Sequence, residues 1–200
     1  MIKYFITKFL IFFGNIILSD SFPYIIYEQA DYKVNGGHVR DIMKLLKPGD
    51  IALRRSNKYL DGHVIPGEFS HAGIYVGNKL IIHSITPCVQ LIYVSDFCEC
   101  DRVNVLRPNL GWFTGWIARH KAIAIAERHL AQKTPYDYVF KFGEGSEVSC
   151  SELLYWCYSD YHSQLGWELK TQKFLWLEKE IFAPDDCMTG CVCVYDSEQV

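Results

Sequence analysis

The sequence predicts an α+β fold built on a mainly antiparallel sheet, and three observations lead there. Two apolar, β-branched runs, "SHAGIYVG" and "KLIIHSI", meet at a Gly-Asn turn and read as a β-hairpin. The elements run helix, several strands, helix, helix, strand, without the strand-by-strand helix alternation of a parallel sheet. Half of the 200 residues are apolar, enough to bury a core without disulfides or metal to hold it.

The first nineteen residues, "MIKYFITKFLIFFGNIILS", combine lysines with an apolar run. The run after Lys8 is about half the length that spans a bilayer. Gly14-Asn15 interrupts it, and no small-residue cleavage site follows. The segment is expected to be a retained amphipathic helix packed on the domain, with a helix lying on a membrane surface as the rival. The chain is accordingly expected to be cytoplasmic, with membrane association through this helix as the alternative.

"NGGHVRDIMKLLKPGD" reads as a turn and then a helix with Val39, Ile42, Met43 and Leu46 as its apolar stripe, ended by Pro48-Gly49. "DIALRR" is a strand, the hairpin follows a Gly- and Pro-containing loop, and "DRVNVLRP" is a further strand closed by Pro108. "IARHKAIAIAERHLAQK" is a helix whose closely spaced alanines predict tight packing, ended at "TPYDY". "SCSELLYW" opens another helix, and the remainder reads as a helix or turn, a proline loop and a last strand at "CVCVY". With no repeat or linker, one domain over 1–200 is expected: an N-terminal apolar helix and extension over 1–35 and a core over 46–200.

Twenty basic against twenty-three acidic residues leave a net charge of −3 without a basic run, which argues against a nucleic-acid partner. Eight cysteines at irregular spacings, in a chain too large to need a disulfide framework, read as thiols of a reducing compartment. Cys98 with Cys100, and Cys187, Cys191 with Cys193, lack the paired knuckles of a structural zinc site and read as small apolar side chains.

Cys150 is different in its setting. Ser149 and Glu152 stand three apart ahead of an apolar helical run, a capping-box pattern that makes Cys150 the first helical residue. There the free backbone N–H groups and the helix dipole are expected to lower the thiol pKa, and the Cys150 N–H points where an oxyanion would form. A thiol nucleophile also needs a base, and the hairpin carries His71 and His83. A three-residue turn at 77–79 would set Gly73 opposite His83 and bring both imidazoles to one face, whereas a two-residue turn would separate them. In the first register Gly73 leaves a gap beside His83, and His83 orients His71.

With these residues in place, the chain resembles the YaeF/YiiX family of permuted papain-like enzymes, in the NlpC-type superfamily. "LKPGDIALRR", "IPGEFSHAGIYVG", "LIIHSI", "VNVLRP", "TPYDYVFKF" and "SCSELLYWCY" come in that family's order, from about Leu46 to Tyr158 and on through "IFAPDD". The histidine hairpin precedes the cysteine, as in the permuted group. The resemblance implies a circularly permuted papain-like fold and a triad with Cys150 as nucleophile, His71 as base and His83 as the orienting third member. It also implies that Tyr136 and Asp137 of "TPYDY" shape a substrate pocket, to which Ser70 and Tyr75 of the hairpin segment are added. Many relatives carry a glutamate at the third position. A histidine there is the pattern of the similar lecithin:retinol acyltransferase group, which leaves the substrate class open.

The leading expectation is a thiol hydrolase that cleaves an amide or peptide bond through a thioester, without a cofactor. The second is a thiol acyltransferase or lipid esterase at a membrane surface, for which the substrate is an acyl lipid. The third is a zinc site made by His71, His83 and Cys150.

Overall fold

The computed structural model describes residues 17–18, 25–26, 32–57, 65, 67–139, 142–143, 145–174 and 177–199. The helix expected over 1–19 lies outside these residues except for Ile17–Leu18 (β1), which is a strand paired antiparallel with Ile25–Ile26 (β2). Among the described residues, no helix is long and apolar enough to cross a membrane.

The main sheet has six strands, all paired antiparallel. Its strands are β3 (Ile51–Arg55), β4 (His71–Gly77), β5 (Leu80–Ile85), β6 (Cys88–Tyr93), β7 (Arg102–Pro108) and β10 (Cys191–Asp196), in the order β10-β7-β3-β4-β5-β6. The helices are α1 (Gly36–Leu45), α2 (Val94–Phe97), α3 (Trp112–Ala131), α4 (Cys150–Cys157) and α5 (His162–Leu165). A separate hairpin pairs β8 (Lys170–Phe174) with β9 (Leu177–Ile181).

The period-2 alternation of the strands divides their apolar side chains between two faces. Ile51, Leu53, Ala72, Ile74 and Ile82 point to one face, where Ala118, Ala122 and Ala126 of α3 and Leu153 and Leu154 of α4 cover them. Ala52, Ile81, Val103 and Val105 point to the other, against Ile42 of α1 and Val94 and Phe97 of α2. α1 starts where the Asn35 carboxamide oxygen accepts from the Gly37 and His38 N–H groups. Its Val39, Met43 and Leu46 pack around Ile42 as the apolar stripe predicts. Pro48 then bars continuation of the helix. The buried Asp50 just beyond accepts from Arg107 Nε at 2.8 Å and Nη2 at 2.7 Å, tying β3 to β7.

The structure differs from the sequence expectation in three places. The β4–β5 turn is the two-residue Asn78-Lys79, both with positive φ (52° and 63°), not the three-residue 77–79. Nevertheless Ile74 pairs with Ile82 and Tyr75 with Ile81, because the register shifts between Tyr75 and Gly77. Val76 is the extra residue of a bulge that restores the register the longer turn would have set. Residues 88–97, which carry no sequence assignment, form β6 and α2. The segment after Gly166, expected as helix or turn, is the β8–β9 hairpin followed by a 3₁₀ turn over Pro184–Met188.

The alanine stripe of α3 supports a test of this packing. Ala122 is fully buried between α3 and the sheet, so Ala122→Leu must displace backbone or neighbours. It is expected to cost about 1–3 kcal/mol, read as a lower urea midpoint at unchanged slope.

Candidate active site

The start of α4 is fastened from three directions. Ser149 is extended (φ −75°, ψ 176°) and caps the helix: its Oγ accepts from the Glu152 N–H at 3.4 Å, while the Glu152 carboxylate accepts from the Ser149 N–H at 2.7 Å. The capping box is therefore present. Just upstream, Val148 donates its N–H to Pro135 O at 3.0 Å and accepts from the Asp137 N–H at 3.2 Å. The Val148 carbonyl also accepts from Ser84 Oγ of β5 at 2.6 Å. Cys150 is thus the first residue of α4, 3% exposed.

The thiol meets the sheet where β4 and β5 are no longer paired. Their ladder ends at Ile74↔Ile82, so toward His71 the N–H groups of β4 on that side are free for other acceptors. The Ala72 N–H points at the sulfur, together with those of Ser151 and Cys150 itself. Burial nonetheless outweighs these three donors and pushes the thiol up to about 11. The sequence expectation of a lowered thiol pKa is corrected here: desolvation exceeds the stabilisation offered by the helix start.

His71 and His83 share one face of the hairpin. His71 Nε2 lies 2.8 Å from His83 Nδ1, with the rings edge to face at 81°. Gly73 makes this contact possible, because a Cβ there would meet Ile81 Cγ2 at 2.6 Å and His83 Cβ at 3.2 Å. Phe97 of α2 packs on both imidazoles, with ring centroids 5.8 Å from His71 and 6.2 Å from His83. Burial, and secondly the charge of Arg54, hold His83 down at about 3 and His71 well below the ordinary imidazole value. The pair is therefore neutral at pH 7, one ring donating and the other accepting. This bond spends Nε2 of His71 and leaves Nδ1 as its second nitrogen. Among the described residues no hydrogen bond joins the thiol to either imidazole; thiol and imidazole pair are each neutral at pH 7.

The remaining expected residues divide. Asp137 is buried beside α4 and accepts from the Val139 N–H at 2.7 Å, which organises the "TPYDY" turn. Tyr136 bridges to Val148 and packs its ring edge to face on Tyr138 at 5.1 Å. Ser70, 9% exposed, precedes His71 and donates its N–H to Arg54 O at 3.1 Å. Tyr75 lies toward the opposite end of β4, where its hydroxyl accepts from the turn Lys79 N–H at 3.3 Å, so the structure does not bring it to the cluster. Arg54 and Phe97 escape sequence reasoning. Only the register Arg54↔His71 and the unforeseen α2 bring them to the histidines.

All eight cysteines are free. Burial pushes Cys98, Cys100 and Cys191 up to about 12 and raises Cys157 and Cys187 as well. Cys193 is exposed.

The model of a family described as permuted papain-like amidase enzyme, YaeF/YiiX, C92 family, matches residues 45–196. The crystal structure of metalloprotein yiiX from Escherichia coli O157:H7 is similar at a TM-score of 0.60 and 18% identity, over 76% of this chain and 98% of that one. At that identity the likeness speaks for the fold alone. No curated protein matches. Because that relative is called a metalloprotein, the fit of a metal to the present residues matters. The two imidazoles spend a nitrogen each on one another. Among the described residues no group of three His, Cys, Asp or Glu side chains is disposed to hold an ion. The residues at His71, His83 and Cys150 do not fit a metal centre. The fold, the histidine hairpin that precedes the cysteine helix and the match over 45–196 agree: the chain belongs to the YaeF/YiiX, C92 family of permuted papain-like amidase enzymes.

Proposed function

We propose that this amidase acts through Cys150 as nucleophile, His71 as base and His83 as orienting partner, on an amide or peptide bond. The observation that carries the reading is the 2.8 Å bond between His71 Nε2 and His83 Nδ1. In this reading His71 Nε2 is the donor of that bond, which makes Nδ1 the nitrogen that accepts the thiol proton. As Cys150 Sγ attacks the carbonyl carbon, the thiol proton passes to His71 Nδ1 and the carbonyl oxygen takes the negative charge beside the Cys150 N–H. Collapse breaks the C–N bond, and His71 Nδ1 returns the proton to the leaving amine. Water, deprotonated by the same nitrogen, then hydrolyses the thioester. Because burial holds the thiol near 11, transfer to His71 coincides with attack instead of preceding it. Labelling with a library of activity-based peptide-amide and acyl-lipid probes, followed by mass mapping, identifies the acyl group that Cys150 takes. The acyl-lipid arm is included because the His-His-Cys set also serves lipid acyl transfer. A library that leaves Cys150 unlabelled refutes the assignment.

The three residues are expected to differ in weight. Cys150→Ala abolishes acyl-enzyme formation, and His71→Ala lowers it about 10²–10⁴-fold. His83→Ala leaves residual activity, and His83→Gln, which keeps a hydrogen-bonding group, is milder. Single-turnover rates at saturating probe measure each. Wild-type rates in His83→Ala, with inactive Tyr136→Phe or Asp137→Asn, would move the third role to "TPYDY".

Gly73→Ala tests the gap beside His83. The added methyl collides with Ile81 and His83, so it is expected to cost about 1–3 kcal/mol of stability and to slow acylation more than Ala72→Gly does. Unaltered kinetics in a folded Gly73→Ala protein would contradict the orienting role.

The depressed imidazoles also set a pH dependence. Unfolded His83 binds its proton near 6.5, whereas the folded residue does so only at about 3. Between these values the unfolded state holds more protons, so this contribution to stability is complete above pH 6.5 and is lost progressively as the pH falls toward 3. Urea midpoints at pH 7 and pH 5 are expected to fall further in wild type than in His83→Gln.

A further inference from the structure

Arg54 is out of keeping with the other cations of its sheet. Arg107 is paired with the buried Asp50, and Arg102 with Asp196, Glu68 and Glu198. Arg55 donates to the Gly67 and Glu68 carbonyls and to Asn57. Arg54 is half-buried on the histidine face, directly across the ladder from His71. Among the described residues its hydrogen bond is a long one, Nη1 to Phe97 O at 3.4 Å, and its guanidinium stands 5.2 Å from the centre of the Phe97 ring. Among the described residues no carboxylate lies within ion-pair reach of it. The ring under the guanidinium is the one that packs on both imidazoles.

A guanidinium offers five N–H donors in a planar fork, and leaving most of them unmet in a partly desolvated group is costly unless a ligand completes the set. We propose that Arg54 is a specificity residue that binds a carboxylate of the substrate next to the scissile amide, so that the enzyme favours acidic acyl groups. The carboxylate fork matches the guanidinium fork in two parallel N–H···O bonds. The same contact removes a handicap: Arg54 is second only to burial among the causes that hold His71 and His83 down. A bound carboxylate offsets that charge when His71 must accept the thiol proton, so substrate recognition and activation of the base become one event.

This inference rests on the proposed roles of Cys150 and His71, and the test separates the two. Iodoacetate and iodoacetamide differ in a single group, carboxylate against carboxamide. With either, Cys150 Sγ forms a bond to the CH₂ carbon, iodide leaves and the thiol proton passes to His71. Second-order rates are read on the Cys150 peptide by mass spectrometry, which keeps Cys88 and Cys193 out of the signal. The ratio of iodoacetate to iodoacetamide rates is expected to drop roughly tenfold in Arg54→Gln, to lie between the two in Arg54→Lys, which keeps the charge but loses the planar fork, and to fall in wild type as sodium chloride is raised. A ratio that is equal in wild type and folded Arg54→Gln overturns the proposal. If Arg54→Gln does not fold, a wild-type ratio insensitive to salt overturns it. A Cys150 that reacts with iodoacetamide no faster than the buried Cys157 refutes the catalytic reading beneath it. A purely structural Arg54 would change stability without changing the ratio.

Discussion

The register of the β4–β5 hairpin is the constraint on which the site depends. Side chains alternate between faces with a period of two, so a slip of one residue would send His83 to the face covered by α3 and α4 and leave His71 on the face of α2. The two-residue turn at Asn78-Lys79 would by itself impose that separation, and the extra residue Val76 cancels it. Gly73 is then strongly favoured, because it lies against His83 where a Cβ would crowd Ile81 and His83. The open end of the same hairpin frees the Ala72 N–H for the sulfur of Cys150. One bulge thus aligns the imidazoles while one missing rung admits the thiol.

Burial decides the electrostatics of the site. A helix N-terminus favours thiolate, yet three N–H donors do not offset the loss of water around Cys150. Both imidazoles are held neutral for the same reason. A neutral thiol and a neutral base share a proton most readily when the charge they create is answered within the site. In the proposed triad the third member is an imidazole, a weaker counterpart to an imidazolium than a carboxylate would be. His83 can hold His71 in its tautomer and accept its proton in a hydrogen bond, but it contributes no formal negative charge.

Much of this was legible in the sequence, for local reasons. The capping box announces itself through Ser149 and Glu152, the apolar stripe of α1 through its 3.6-residue period, and the hairpin through its two β-branched runs around a Gly-Asn turn. The pairing of His71 with His83 was legible as a condition on register, although the device that meets it, a bulge, leaves no mark in composition. Residues 88–97 and the β8–β9 hairpin were not legible, since short segments of mixed polarity take their conformation from the partner strand available. Tyr75 is near His71 in sequence, but an extended strand carries it about 13 Å along β4. The level of the thiol pKa also depends on burial, which a helix signal does not report.

Arg54 and Phe97 show what only tertiary structure can supply. Phe97 lies 26 residues from His71 and Arg54 lies 17, and strand pairing with one short helix makes the four side chains a single group. Within it the aromatic ring touches a cation and two neutral bases, and the charge that acts on both bases is positive. Such an arrangement resists formation of the imidazolium as long as it stands alone. Under the proposed roles it becomes productive when an anion arrives with the substrate: one carboxylate then supplies the negative charge that His83 does not and completes the fork of Arg54.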